Sequence, residues 1–431
     1  MLNLEGKIVT IIGAKRSGLA LARLVLRLNG QLRISDSQAV EQMSKDDLDW
    51  INQRGIRLEN NIHTREFISG SDFLVLSPGV RFDSIPVQWA KEMSIPVFGE
   101  IEFAYQFCQS PIIAVTGSNG KTTVVTLINK VLTQAGYKSR LCGNVGFPFS
   151  DYCIDGNEYD FFVLELSSFQ LESLIDKDNS LRKDGRVKGF RPFIAVLLNF
   201  SQNHLDRHKD IAEYFEAKQK IFYNQTADDH AVLNHSSALI RDLTKKIDST
   251  IHWFNQAENV AGLNPNFLAV RKVADILGVS EEGFNEVIHN FKGVEHRMEL
   301  VRTLDGVDFI NDSKSTTAEA GNWALSQMQR PVMMICGGKD KNIDFTVLAE
   351  IVRKKVKKMF VIGEAKEKIK NSFRGFVQIE ECQKLEEAVR SAKNQADHGD
   401  CVLLSPMCAS FDMFKDYEDR GRIYKSIVNN L

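Results

Sequence analysis

The chain has 431 residues, more than one hydrophobic core usually organises, which indicates two or three domains. Its 43% hydrophobic and 26% charged residues are typical of a soluble globular protein. A net charge of −2 argues against general nucleic-acid binding, which depends on a basic surface. The apolar runs are too short to cross a bilayer, the first residues lead into a strand rather than a signal peptide, and seven scattered cysteines suit a reducing compartment. We therefore expect a cytoplasmic protein without membrane insertion.

Residues 1–97 alternate apolar strands with helix-spaced segments, which predicts a Rossmann-like α/β domain. The loop GAKRSG (13–18) joins the first strand to a helix, as a dinucleotide fingerprint would. Lys15 stands where the central glycine would admit a pyrophosphate, so an NAD site is disfavoured, and a plain strand-to-helix turn stays an alternative. We favour a nucleotide-linked substrate, with Lys15 and Arg16 at a phosphate and Asp36 and Ser37 at the ribose or base.

A second predicted domain, residues 98–293, carries the stretch TGSNGKTT between an apolar strand and a helix. Val115 replaces the first glycine of the general P-loop pattern, but the other features are present. Glycine N–H groups can hold phosphate oxygens, Lys121 can reach the β and γ phosphates, and Thr122 can bind Mg²⁺. We therefore predict a P-loop ATPase-like parallel sheet whose ATP-binding residues are Thr116, Gly117, Ser118, Asn119, Gly120, Lys121, Thr122 and Thr123.

Glu165 ends the apolar run FFVLEL, where a lone buried carboxylate is costly without a partner. We predict that it binds Mg²⁺, with capping of the next turn as the alternative. His204 and His208 are four residues apart, but no glutamate follows His204 and no third ligand is evident, so a zinc pair is disfavoured. A single histidine acting as a metal ligand or phosphate contact fits better.

Lys218 lies on the apolar stripe of a predicted helix, together with Ile211, Tyr214, Phe215, Ile221 and Phe222. One explanation is a lysine that snorkels past its neighbours. The other is a functional amine whose pKa is lowered by burial and nearby cations, leaving it neutral and able to react with CO₂. The resulting carbamate is an anion that could hold a second Mg²⁺.

A third predicted domain, residues 294–431, contains apolar strands in VMMICGG, KMFVIGE and CVLLSP. Helical segments lie between them, in FTVLAEIVRKKV and KLEEAVRSAKNQA. This alternation predicts a second Rossmann-like domain with a mostly parallel sheet.

Several motifs occur together in the order found in the Mur ligases. They are SPGV, GEIEF, TGSNGKTT, GNVG, ELSSFQLE, NHLDRH, EAKQKIF, FKGVEHRME, NDSKST, GGKDK and SPMCASFDMFKDYEDRG. The chain resembles this family over essentially its whole length, and the last block resembles its glutamate-adding members. The segment 261–270 departs from the usual adenine-contacting stretch, because it lacks a histidine.

The resemblance implies a role for each matching residue. Lys15, Arg16, Asp36, Ser37 and Asn144 would bind the UDP-linked substrate; Thr122, Glu165, His204 and Lys218, as a carbamate, would hold two Mg²⁺ ions; Lys121, Lys218, His204 and Asn144 would be catalytic; Arg297 and Asp312 would contact ATP; Lys314, Thr316, Lys341, Ser410 and Tyr417 would bind the amino acid. Two lysines in the last group suit a doubly anionic amino acid.

The resemblance also implies a reaction: ATP-dependent addition of D-glutamate to UDP-N-acetylmuramoyl-L-alanine through an acyl phosphate, by a monomer. Another Mur ligase or a folylpolyglutamate synthetase is the nearest alternative. A nucleic-acid ATPase would need a basic channel. A UDP-sugar binding protein without catalysis would not need Lys121, Glu165 and Lys218 together.

Overall fold

The computed structural model describes residues 2–154, 158–175, 187–200, 210–256, 264–291, 293–340 and 343–431. Backbone contacts divide the chain into two compact units, Met1–Phe291 and Lys292–Leu431. Among the described residues, none of the helices combines the length and the apolar character needed to cross a bilayer. All seven cysteines are described, and all are buried and free.

The first unit contains two parallel sheets, of which the N-terminal one has five strands in the order β3-β2-β1-β4-β5. Its central strand (IVTII) is apolar apart from Thr10, and the first helix begins at Arg16, within the GAKRSG stretch. The strands are β1 Ile8–Ile12, β2 Gln31–Asp36, β3 Arg57–Asn60, β4 Phe73–Leu76 and β5 Val97–Gly99, and the helices are α1 Arg16–Arg27, α2 Lys45–Gln53, α3 Arg65–Ile68, α4 Ile85–Glu92 and α5 Glu100–Tyr105. The boundary at 97/98 stays a prediction, and β5 spans it.

The other sheet of this unit has six strands in the order β11-β10-β9-β6-β8-β7. Its strands are β6 Ile112–Thr116, β7 Ser139–Gly143, β8 Phe161–Glu165, β9 Ile194–Leu197, β10 His230–Asn234 and β11 Thr250–Phe254. The helices are α6 Lys121–Gln134, α7 Ser168–Glu172, α8 Ile211–Gln219, α9 Ala238–Leu243, α10 Pro265–Ile276 and α11 Glu281–His289. Because all pairs are parallel, β6, β8 and β9 end at the same edge of the sheet.

The second unit is built on a six-stranded sheet in the order β12-β13-β17-β14-β15-β16. Its strands are β12 Glu299–Leu304, β13 Val307–Asn311, β14 Val332–Gly337, β15 Val356–Ile362, β16 Gln378–Glu381 and β17 Cys401–Leu404, and its helices are α12 Ala318–Gln327, α13 Ala349–Lys355, α14 Lys366–Phe373, α15 Leu385–Gln395 and α16 Tyr417–Asn429. Short 3₁₀ turns in the chain are Val40–Gln42, Phe149–Asp151, Lys220–Phe222, Thr244–Lys246 and Thr346–Leu348.

The predicted α/β class with mostly parallel sheets is confirmed. One pair differs: β12 and β13 form an antiparallel hairpin that we did not predict. Asp305 and Gly306 connect them with φ values of 52° and 77°, the backbone that an Asp-Gly turn favours. That dipeptide was the sequence signal for this hairpin.

Candidate active site

The phosphate loop leaves the central strand β6 and opens helix α6, as predicted. Gly120 has a φ of 82°, and a Cβ there would lie 2.4 Å from Asn266 Oδ1, so only glycine fits. Lys121 Nζ donates to the carbonyls of Gly117 at 2.8 Å and Ser118 at 3.0 Å. Thr122 is buried in the first turn of α6. Backbone N–H groups at this helix start face the position where phosphates bind in such loops.

Lys218 lies inside the protein beside this loop, only 1% exposed. Its Nζ donates to Gly117 O at 3.0 Å and lies 4.5 Å from the Tyr214 ring centroid. Burial lowers the pKa of Lys218 well below its ordinary value, and the positive charge of Lys121 lowers it further. The inward position predicted for Lys218 is confirmed. Ile211 was wrongly placed on the same stripe: it is the first residue of α8 and 42% exposed, before the buried face begins at Tyr214.

Glu165 ends strand β8 and is 2% exposed. Its Oε1 accepts a hydrogen bond of 2.7 Å from Asn144 Nδ2, whereas its Oε2 is buried without a partner in the described part of the chain. A buried carboxylate oxygen in that state is costly unless a cation completes its surroundings. Glu165 offers a hard oxygen donor at the end of β8, and Thr122 follows the neighbouring strand β6. Hard oxygen donors suit Mg²⁺, so these two residues fit the ion that the sequence implied.

Two residues that our sequence analysis left aside support the phosphate loop. Asn199 follows strand β9 at the same sheet edge, and its side chain makes a pair of hydrogen bonds with the backbone of Asn119, 2.9 Å to N and 3.0 Å to O. Its own carbonyl accepts from Ser118 N at 3.1 Å. Asn266, in the first turn of α10, lies against Gly120. A polar residue two positions after a buried neighbouring strand was the available signal for Asn199.

The N-terminal sheet carries a cavity of about 330 Å³ at the carboxyl ends of β1, β2 and β4. Lys15, Arg16, Asp36 and Ser37 all line it, as the nucleotide-site prediction required, together with His63 and the Ser77–Val80 turn. Asp36 is engaged by the protein, because its oxygens accept from the N–H groups of Ala14 at 2.5 Å and Gln38 at 2.8 Å. His63 was not predicted, since its place depends on a hydrogen bond of 2.7 Å with Ser35 from another element.

In the second unit, Arg297 and Asp312 are the two residues expected to contact ATP, and the Arg297 charge acts on the buried Asp312 carboxyl. Asp312 is 3% exposed and accepts from Met298 N at 3.3 Å and Ser405 Oγ at 3.2 Å. Burial raises the pKa of Asp312 to about 7, against the lowering effect of the Arg297 charge. The Arg297 guanidinium lies 5.2 Å from the Trp323 ring centroid, so the cation is held beside an aromatic surface.

The predicted amino-acid ligands follow two paired strands of the same unit. Lys314 and Thr316 come after β13, and Ser410 and Tyr417 come after its parallel neighbour β17. The two segments therefore leave the sheet at one edge.

Arg420, which we did not predict, ties these two segments together. It is fully buried, and its guanidinium donates to Ser313 Oγ at 3.0 Å, Ser313 O at 2.9 Å and Cys408 O at 3.2 Å. Burial lowers the pKa of Arg420 to about 10, so it stays charged at neutral pH. Two further predicted residues, His204 and Lys341, lie outside the described residues, as does His208.

Comparisons with known proteins agree with this geometry. Residues 115–300 match the family model of the Mur ligase middle domain, and residues 296–408 match that of the Mur ligase, glutamate ligase domain. The UDP-N-acetylmuramoylalanine--D-glutamate ligases of Koribacter versatilis (strain Ellin345) and Caldicellulosiruptor saccharolyticus are 35% and 36% identical, with 100% of this chain covered and 99% and 100% of theirs.

Solved structures share the fold. MurC from Thermotoga maritima has a TM-score of 0.58 at 16% identity, covering 98% of this chain and 99% of its own. MurF from Thermotoga maritima, solved in complex with ADP, has a TM-score of 0.55 at 15% identity, covering 99% and 96%.

Proposed function

Because the chain belongs to the Mur ligase family, we propose that it uses ATP to join D-glutamate to UDP-N-acetylmuramoyl-L-alanine, a step in peptidoglycan precursor synthesis. The observation that carries the chemistry is the edge of the second sheet, where Lys121, Lys218, Thr122 and Glu165 follow neighbouring strands or pack beside them. The choice of glutamate is supported by the name shared by relatives that align over the full chain.

The phosphate loop would hold ATP for attack on its γ phosphate. Backbone N–H groups at the start of α6 and the Lys121 ammonium would bind the triphosphate oxygens. Lys121 now donates to two loop carbonyls, so it must exchange those hydrogen bonds for phosphate oxygens when ATP arrives. A carboxylate oxygen of the UDP substrate would bond to the γ phosphorus, ADP would leave, and an acyl phosphate would form.

Thr122 and Glu165 would hold Mg²⁺, with His204 as a further proposed ligand. When bound, the ion would neutralise charge on the phosphate oxygens during transfer. Asn144 would orient the Glu165 carboxylate, because it donates to Oε1 and leaves Oε2 for the ion.

Lys218 would act as a carbamate. Its lowered pKa favours the neutral amine, whose nitrogen can bond to the carbon of CO₂ and release one proton. The product is an anion beside the phosphate loop, where it would hold a second Mg²⁺. The charge of Lys121, which disfavours a second cation at Lys218, would favour the carbamate anion there.

The second unit would bind the amino acid, and two of its residues would contact ATP. Arg297 and Asp312 would contact ATP, and Lys314, Lys341, Thr316, Ser410 and Tyr417 would bind the two carboxylates of glutamate. The neutral amine of glutamate would then bond to the acyl carbon and lose one proton, the bond from that carbon to the phosphate oxygen would break, and phosphate would leave. Water must be excluded, because an acyl phosphate hydrolyses readily.

The experiment is a substrate-omission assay on the purified chain. We expect phosphate release to need both UDP-N-acetylmuramoyl-L-alanine and an amino acid, with D-glutamate best in a panel that includes L-glutamate, L-alanine and L-lysine. A preference for another amino acid would indicate a different Mur ligase, and turnover with a folate substrate would indicate a folylpolyglutamate synthetase. ATP hydrolysis at the full rate with neither substrate would overturn the ligase proposal. We further propose that the enzyme works as a monomer in the cytoplasm.

A further inference from the structure

Arg16 belongs to two structural features at once. It lines the cavity of the N-terminal sheet, where we place the UDP part of the substrate. Its guanidinium also donates to the carbonyl of Gly146, in the GNVG turn of the second sheet, and lies 5.8 Å from the Phe147 ring centroid. The side chain is exposed, so nothing in its own packing requires it to reach across to that turn.

The GNVG turn is short and closed, which makes it suited to transmit a displacement. Gly143 N donates to Phe147 O at 2.8 Å, which closes the turn. A Cβ on Gly143 would lie 2.4 Å from Glu165 O, so the turn is pressed against the end of β8. Asn144 sits between these points and binds Glu165 twice, through its backbone N–H to Glu165 O at 2.9 Å and its Nδ2 to Oε1 at 2.7 Å.

A path therefore runs from the nucleotide cavity to the proposed metal ligand. Arg16 donates to Gly146, Gly146 and Asn144 belong to the same closed turn, and Asn144 binds Glu165. We infer that Arg16 is a positioning residue that orients the Glu165 carboxylate for Mg²⁺ when a nucleoside diphosphate occupies the cavity. The inference rests on the proposed function for the identity of both ligands.

The donor geometry of arginine sets the direction of the effect. A guanidinium has five N–H donors in a fixed plane, and the described contacts of Arg16 use a donor on Nη2 at Gly146, so others remain for a phosphate. A phosphate bound there would immobilise an exposed side chain whose ordering otherwise costs free energy. The hold on Gly146 becomes firmer, Asn144 stays on Oε1, and Oε2 stays directed to the ion. Binding of nucleotide and metal should thus be mutually favourable.

The test measures metal binding without catalysis. Free Mn²⁺ is titrated by electron paramagnetic resonance, as a substitute for Mg²⁺, with and without saturating UDP. We expect UDP to strengthen Mn²⁺ binding about tenfold in the natural chain, within the usual range of coupling between sites, and Mn²⁺ to strengthen UDP binding by the same factor. Arg16→Ala should reduce the ratio to about one.

Two control variants separate the possible roles. Lys15→Ala removes another cation that lines the cavity, so UDP should bind more weakly while the coupling ratio at saturating UDP stays about tenfold. Arg23→Ala removes an ion pair from α1 to Asp151 (2.8 Å) without touching the cavity, so both UDP affinity and the ratio should stay within twofold.

The outcomes distinguish the positioning role from its rivals. A ratio near one in the natural chain, or an unchanged ratio in Arg16→Ala with only weaker UDP binding, would overturn the inference and leave Arg16 as a plain phosphate ligand. Equal loss in Arg23→Ala would also overturn it, since general docking of α1 would then be responsible. Coupling that is intact in a chain that makes no amide with D-glutamate would support the role of Arg16 and contradict the ligase proposal instead.

Discussion

The two oxygens of Glu165 have different surroundings. For this reason Glu165→Gln should change the unfolding free energy in opposite directions without and with bound Mg²⁺. Oε1 accepts from Asn144, and Oε2 is buried without a partner in the described residues. Leaving a buried polar atom unsatisfied costs about 1–3 kcal/mol, and more when it is charged. Glu165→Gln keeps the shape and the acceptor toward Asn144 but removes the charge. Without metal, we expect the variant to be more stable by about 1 kcal/mol, because its amide nitrogen is still unsatisfied but neutral.

With Mg²⁺ and ADP the order should reverse. A ligand at 100 times its Kd stabilises the natural chain by about 2.7 kcal/mol. Loss of a charged metal ligand should weaken Mg²⁺ binding about a hundredfold, the upper end of the effect of removing a residue that supports a metal ligand. At the same concentrations, Mg²⁺ would then stabilise the variant by only about 0.4 kcal/mol. The variant would then be less stable than the natural chain by more than 1 kcal/mol.

Calorimetric unfolding with and without Mg²⁺ and ADP measures both differences. Glu286→Gln is the matched control, because Glu286 is an exposed carboxylate of the same unit that pairs with Gln134. It should change neither condition by more than about 0.5 kcal/mol. If Mg²⁺ and ADP stabilise Glu165→Gln as much as the natural chain, Glu165 does not hold the ion and the reasoning from its unpaired oxygen is refuted.

Three further predictions concern Lys218, Glu100 and Arg420. Lys218→Ala should lose nearly all ligation and regain part of it with added short carboxylic acids, while a ¹³C carbamate signal present in the natural chain under ¹³CO₂ should vanish; an active variant without rescue contradicts the carbamate. Burial raises the pKa of Glu100 from 4.5 to about 7, so its contribution to the unfolding free energy is present below pH 4.5 and lost as the pH rises through 7. Glu100→Gln should therefore gain about 3 kcal/mol on the natural chain between pH 4.5 and pH 8 in denaturant titrations, and a constant difference would exclude this assignment. Arg420→Lys keeps the charge but loses the fork that joins Ser313 to Cys408, so the KM for glutamate should rise about tenfold with less than a twofold change for ATP; equal changes would indicate a general structural role.

Much of the fold was predictable because the signals are local. Continuous apolar runs marked the buried parallel strands, and glycines marked the turns at their carboxyl ends. Lys218 was recognisable because helical spacing alone places it next to Tyr214 on a buried face. Ile211 fails the same rule, since it opens the helix, where the first turn is still exposed.

The supporting residues were not predictable, because their roles depend on contacts between distant segments. Asn199 holds the phosphate loop across 80 positions of sequence, and Arg420 holds Ser313 across 107. No periodicity or motif records such pairs. Glu165 was predictable only in part. Its place at the end of a buried strand was predicted, but the difference between its two oxygens depends on Asn144, which follows the neighbouring strand β7.

The central claim is that this chain makes an amide bond between a UDP-linked carboxylate and glutamate. Mass spectrometry of a reaction with ATP, Mg²⁺, UDP-N-acetylmuramoyl-L-alanine and each glutamate enantiomer tests it directly. We predict one product, whose mass equals that of the UDP substrate plus glutamate less one water, formed with D-glutamate and in equal amount to ADP. Formation of ADP without that product, or a product with L-glutamate only, would contradict the account.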